Sequence, residues 1–285
     1  MPDLRGRYIV ETEWLAEHLD APDLVLLDGS THLPTTGRNA RAEYDEEHIP
    51  GAMFFDINAI ADDTNPLPHM LPPPAKFSSM MKKMGIGDGM RVVAYDSTGL
   101  YSAARVWWMF RTMGYEDVAV LNGGLKKWKA ENRPTTNEPP RQRSERHFTA
   151  RFNAALVRDL DDVKAIVASG SEQIVDARAA ARFRGEATEP RKGLRAGHMP
   201  GAANVPFTTL LEENGTLKST EQLAAAYKAA GIDLHKPITA SCGSGVTAGV
   251  LALSLALLGY PDTAVYDGSW SEWGHEDAGT EVVKG

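Results

Sequence analysis

A single cysteine, Cys242, supplies all the thiol chemistry of this 285-residue chain. One cysteine cannot close an internal disulfide or build a Cys-based zinc site, so a secreted disulfide scaffold and a zinc finger are both excluded. A basic excess is also missing: 30 Lys and Arg face 38 Asp and Glu, a formal net charge of −8. Nucleic-acid binding draws on cations that neutralise phosphates, so that class is disfavoured. The eight histidines are scattered without metal-ligand spacing, and no cofactor or metal is expected. The first twenty residues, MPDLRGRYIVETEWLAEHLD, are interrupted by charge every few positions and hold no apolar signal-peptide core, which points to a cytoplasmic protein. Long apolar runs are scarce too. Only Ile238–Pro261 is both long and free of charge, and Ser241, Gly243, Ser244, Gly245, Thr247 and Gly249 break it up. It reads as a buried strand, a glycine-rich turn and a buried helix rather than a membrane span.

What the chain does contain is a second copy of itself. HIPGA at His48–Ala52 returns as HMPGA at His198–Ala202, and LLD ending at Asp28 returns as IVD ending at Asp176. AYDSTGLYSA from Ala94 lies opposite ASCGSGVTA from Ala240, and GYEDVAVLNGGLKKW from Gly114 opposite GYPDTAVYDGSWSEW from Gly259. The four offsets are 150, 148, 146 and 145, in one order, so the chain is two copies of one domain. The proline- and charge-rich stretch around Glu131–Ala150 has no amphipathic period and suits a linker. The expected organisation is an N-terminal domain over 1–135, a linker over 136–152 and a C-terminal domain over 153–285.

Short apolar runs bounded by Gly or Asp predict buried parallel strands at Leu24–Leu27, Val92–Tyr95, Val118–Leu121, Ile174–Val175, Ile238–Ala240 and Ala264–Tyr266. Ser219 and Gln222 have capping-box spacing and predict a helix that runs to Ala230 and stops at Gly231. Strand and helix in alternation make each copy an α/β domain with a mostly parallel sheet covered on both faces. In such sheets the chemistry sits beyond the carboxyl ends of strands.

That rule selects CGSGVTA, Cys242–Ala248. Gly243 and Gly245 let the loop curl so that successive N–H groups face inward, and a helix starting near Thr247 adds its positive end. Such a cradle favours the thiolate, the nucleophilic form of cysteine. The chemistry narrows by elimination. A tyrosine phosphatase needs arginine six residues after its cysteine, where this chain has Ala248. The loop holds no Lys or Arg, so a dianion such as thiosulfate would be poorly neutralised. A dithiol oxidoreductase would need cysteine where Gly245 stands. There remains attack by one thiolate on a substrate that brings its own leaving group.

The duplicated halves, HIPGA and HMPGA, CGSGVTA and the terminal YDGSWSEWG resemble the rhodanese superfamily over about Tyr8–Gly274, and the CGSG loop resembles its 3-mercaptopyruvate sulfurtransferase branch. The resemblance implies two tandem rhodanese domains, the C-terminal one catalytic. The N-terminal copy, with Asp96 in the nucleophile's place, is expected to be silent. It implies a Cys242 persulfide and release of pyruvate, with sulfur passing to thioredoxin, another thiol or cyanide. It marks Arg182 and Arg191 as anchors for the donor's carboxylate and carbonyl, geometry that guanidinium groups match, with Arg178, Arg184 and Arg195 as competitors. Gly243, Gly245, Val246 and Thr247 line the substrate's place. His69 and Ser244 are expected to relay a proton to the departing enolate. Asn58 stands where the family pattern has an acid, so Asn58, Asp62 or Asp63 would have to orient His69. Arg105 and Asp96 read as structural, as do His48 and His198, which recur in both copies. Trp107, Trp108 and Met109 read as core, and Trp270 and Trp273 as packing.

Overall fold

A computed structural model describes residues 4–285. Ten strands form two five-stranded sheets. The first holds β1 (Ile9–Val10), β2 (Leu24–Asp28), β3 (Met53–Phe54), β4 (Arg91–Tyr95) and β5 (Val118–Leu121), in the order β1-β5-β4-β2-β3. The second holds β6 (Val157–Arg158), β7 (Gln173–Asp176), β8 (Ala203–Asn204), β9 (Ile238–Ser241) and β10 (Ala264–Tyr266), in the order β6-β10-β9-β7-β8. Every pairing is parallel, and the second order repeats the first strand for strand. The six predicted strands are present, four of them longer by a residue or more. All five residues of β2 and all four of β9 are buried, the continuous apolar pattern of strands covered on both faces.

Three helices show how local sequence sets ends and packing: α1 (Ala103–Thr112), α2 (Thr220–Ala229) and α3 (Ala248–Leu257). Ser219 and Gln222 close the expected capping box at the start of α2, and the helix ends one residue short of Ala230. Every residue of α1 and of α3 is buried. α3 is apolar nearly all round and so must pack on all sides, and α1 packs on all sides with Arg105 and Arg111 buried among its apolar residues. These two lie between the sheets and against each other. At Gly249 a Cβ would fall 2.8 Å from the backbone nitrogen of Arg105, so α3 has glycine where α1 comes closest. No helix among the described residues is long and apolar enough to cross a membrane.

The stretch after the first sheet is not a slack tether. It has no regular element over 137–153, but it is tied down along the N-terminal half. Thr136 bridges His48, Arg143 donates to the Leu24 carbonyl at 2.6 Å, and Thr149 bonds Asp88. Phe148 is buried among Phe77, Phe110 and Tyr115. The paired histidines hold turns. His48 Nδ1 meets the Tyr44 carbonyl at 2.7 Å, and His198 Nδ1 meets the Phe183 carbonyl at 2.9 Å, each ring stacked on the aromatic of the residue it bonds. Trp107, Trp108, Trp270 and Trp273 are all buried.

Candidate active site

Cys242 follows β9 directly and is buried, with 2% of its surface exposed. Its backbone is fixed by the segment after β10. Cys242 N–H donates to Ser269 Oγ at 3.1 Å, Trp270 N–H to the Cys242 carbonyl at 3.0 Å, and Ser271 to the Gly243 carbonyl from both N (2.8 Å) and Oγ (2.7 Å). Gly245 adopts φ +75°, and a Cβ there would meet the Asp267 carbonyl at 2.7 Å, so this turn requires glycine. Among the described residues, the amides of Gly243 to Thr247 donate to no protein group, and Cys242 Sγ accepts no hydrogen bond. The loop is therefore an open set of donors. The cradle expected around the cysteine makes no hydrogen bond to the sulfur, and its amides stay unbonded.

The N-terminal copy shows what such a loop holds. Asp96 occupies the position of Cys242, and its carboxylate accepts from the N–H groups of Thr98 (3.0 Å), Tyr101 (2.7 Å), Ser102 (2.9 Å) and Ala103 (2.9 Å), and from Thr98 Oγ1 (2.8 Å). The same turn from strand to helix, in the same chain, is filled by an anion.

Arg182 and Arg191 approach the Cys242 loop from the segment after β7. A Cβ on Gly243 would lie 3.1 Å from Arg182 Nη2. Buried Glu189 holds Arg182, Oε2 to Nη2 at 2.5 Å, and shares its other oxygen with Arg178 at 2.8 Å. Arg178 is fully buried on Asp176 and Glu189, Arg184 pairs with exposed Glu186, and Arg195 donates to carbonyls of Trp273, Gly274 and Thr280. The three competitors are thus committed elsewhere. Burial lowers Arg191 from the usual arginine range, an effect that the negative charge of Cys242 opposes. Arg191 and Cys242 are thus close enough to act on one another.

His69 enters from the other half, with its Nε2 at 3.2 Å from Arg191 Nη2. A guanidinium can only donate, so Nε2 accepts and the ring proton sits on Nδ1. Nδ1 is buried without a partner. Burial, then Arg105 and Arg191, push His69 down to about 3, so the ring is neutral. The expected Ser244–His69 relay is not joined: Ser244 is buried in the loop, and no hydrogen bond links the two among the described residues. The supporting group for His69 is corrected as well. Asn58 is exposed and its N–H bonds Asp56, Asp62 takes Thr64, and Asp63 pairs with Lys76.

Tyr101, from the matching loop of the N-terminal copy, was not singled out from the sequence. Burial and the charge of Cys242 push its hydroxyl up to about 12, against Arg191 and Arg182. Its repeat position, opposite Thr247, was the available signal.

Comparison with known proteins gives the family. The model of the rhodanese-like domain matches residues 11–131 and again 159–276. The chain belongs to the rhodanese family. It is 46% identical to 3-mercaptopyruvate sulfurtransferase of Escherichia coli K12, over 97% of this chain and 99% of that protein. It is 44% identical to thiosulfate sulfurtransferase of Gallus gallus, over 95% of this chain and 94% of that protein. The solved structure of SseA, a 3-mercaptopyruvate sulfotransferase of Escherichia coli, superposes with a TM-score of 0.84 at 45% identity, covering 93% of this chain and 99% of that one. As a tandem rhodanese, the chain has cysteine in one of its two matching loops and aspartate in the other.

Proposed function

We propose that the chain is a 3-mercaptopyruvate sulfurtransferase with Cys242 as nucleophile. The observation that carries this reading is a loop of unbonded amides, free of Lys and Arg, with Arg182 and Arg191 placed beside it instead of within it. A 2-oxo acid with a β-thiol suits that division: its carboxylate and carbonyl go to the arginines, and its uncharged sulfur goes to the loop. The relatives named for this donor support the choice.

In the reaction, Cys242 thiolate forms an S–S bond to the donor's sulfur. The donor's C–S bond breaks, and its electron pair passes into the enolate of pyruvate. The proton of the donor's thiol passes through Ser244 to the methylene carbon, which completes pyruvate and leaves the outer sulfur of the persulfide as an anion. His69 serves this step as the neutral acceptor that holds Arg191. The free loop amides receive the outer sulfur of the persulfide, in the place that Asp96 fills in the other copy. An acceptor thiolate, such as that of reduced thioredoxin or a small thiol, or cyanide, then attacks that sulfur. The S–S bond breaks and its electrons return to Cys242. The chemistry uses no cofactor, and we place the enzyme in the cytoplasm.

Incubation with 3-mercaptopyruvate is expected to add one sulfur to Cys242 by intact mass and to release one pyruvate per chain. Retained pyruvate release in Cys242→Ser would remove the mechanism. The relative named for thiosulfate makes that donor the alternative, and the kcat/KM ratio for the two donors decides. A ratio in favour of thiosulfate would overturn the assignment of donor. Turnover of neither donor would leave a binding module.

A further inference from the structure

We propose that Arg105, in the half without the nucleophile, is a positioning residue for sulfur transfer: it locks the His69 segment and the Cys242 loop in one register across the interface between the halves. The proposal rests on the sulfurtransferase reading. Arg105 lies on α1, is completely buried, and sits over the Trp108 ring at 4.5 Å. Its Nη2 donates to the His69 carbonyl at 2.5 Å. Its Nη1 donates to Asp267 Oδ1 at 2.5 Å and to the Gly245 carbonyl at 3.2 Å. Asp267 returns to the first half, where its Oδ2 accepts from Leu71 N–H at 2.7 Å. One buried ion pair therefore grips His69 and Leu71 from one half, and Gly245 and the end of β10 from the other.

Three features make this more than packing. A buried ion pair is no better for stability than apolar side chains of the same volume, so stability alone gives no reason for it here. The planar fork of arginine spans three acceptors at fixed angles, which a lysine cannot do. The contacts also fall on strained or constrained backbone. His69 has φ +64°, where a non-glycine residue needs its surroundings to hold it, and a Cβ on Gly245 would lie 2.8 Å from Arg105 Nη1. What Arg105 fixes at His69 passes to Arg191 through the 3.2 Å contact with Nε2, and so to the donor's carboxylate.

The test uses the full chain and three variants. Arg105→Lys keeps the charge without the fork. Arg105→Met removes both. The double variant Arg105→Met, Asp267→Leu replaces the ion pair by an apolar one and guards against a buried lone carboxylate. Small misplacements of binding groups can cost up to about a hundredfold in rate. We expect kcat/KM for 3-mercaptopyruvate to fall roughly 10- to 100-fold in Arg105→Lys and in the folded double variant, mostly through a higher KM. A second readout follows His69 by imidazole NMR. Arg105 and Arg191 are the two cations acting on this ring, and Asp267 stands behind Arg105. The ring is expected to take up its proton at higher pH in Arg105→Met than in the parent, and near the parent's pH in Arg105→Lys, so a fall in kcat/KM shared by both variants is assigned to the lost fork and not to the lost charge.

A double variant that melts like the parent, with kcat/KM within about twofold, would overturn the proposal, as would an unmoved His69 titration. The parent's donor assay separates the two ideas. If the parent prefers thiosulfate, the donor assignment fails and the Arg105 variants are read with thiosulfate. If it turns over neither donor, both ideas fall.

Discussion

Arg191 has two demands on its guanidinium: His69 Nε2 in this structure, and a donor carboxylate in the complex we propose. Hydrogen bonds to charged groups contribute about 1.5–3 kcal/mol, so Arg191→Ala is expected to raise the donor KM roughly 10- to 100-fold. Steady-state kinetics with an unchanged kcat would identify the loss as one of binding. Asp28 gives the opposite kind of prediction, one of stability. It matches Asp176 in the repeat, but Asp176 has Arg178 for a partner, while the matching position beside Asp28 is Ser30. Burial without a cation raises Asp28 from 3.8 to about 6. The folded state therefore holds this proton more tightly than the unfolded chain. The stability this gives is fully present below pH 3.8 and is lost as pH rises through about 6. Asn can still accept from the Ser30 N–H. Asp28→Asn is expected to stabilise the protein by about 1–3 kcal/mol at pH 8 and by almost nothing at pH 4. Urea melts at the two pH values check this, and an equal gain at both would refute the cause given.

Elements were legible in proportion to their length and pattern. The six strands with apolar runs, the capping box of α2 and the all-apolar α3 were evident, because burial on both faces leaves a continuous signature. β1, β3, β6 and β8 were not. Each has two residues at or near a sheet edge, too few to show any period, and only pairing with a neighbour makes them strands. The candidate site divides in the same way. Cys242, Gly243, Gly245, Arg182 and Arg191 lie on local motifs and could be named from the sequence. Tyr101, Glu189 and Asp267 could not, because their roles come from contacts across long sequence separations. Arg105 looked structural for the same reason, since its three acceptors lie 36, 140 and 162 residues away. The α1–α3 crossing yields a prediction at this scale. A methyl at Gly249 would press on backbone atoms of Ala104 and Arg105 at 2.8–2.9 Å, which no side-chain rotation relieves. Gly249→Ala is expected to cost about 1–3 kcal/mol by overpacking, seen as a lower urea midpoint at constant slope. Because α1 carries Arg105, a rise in donor KM should accompany it.

At the scale of the whole molecule, duplication has produced one unit in which the two halves share a core. One apolar cluster runs without a break from Val25, Val92 and Trp107 through α1 and α3 to Val175, Leu223 and Val265. Polar contacts cross the same boundary. Asn122 Oδ1 accepts from Leu217 N–H at 2.9 Å, Arg111 donates to the Pro261 carbonyl at 2.6 Å, and the Arg105–Asp267 pair is buried at the same boundary. Separating the halves would expose both wholly buried helices and strand buried charges, so neither half can unfold while the other keeps its interface. Domains joined by small polar contacts melt separately, whereas a large apolar interface couples them. A single calorimetric transition is therefore expected, with equal calorimetric and van't Hoff enthalpies. The same coupling means that the nucleophile loop keeps its partners His69, Tyr101 and Arg105 until the whole molecule melts. Activity and near-ultraviolet circular dichroism should then be lost at one temperature. Two resolved transitions, or activity lost well below the melt, would show that the halves are held together by less than this shared core implies.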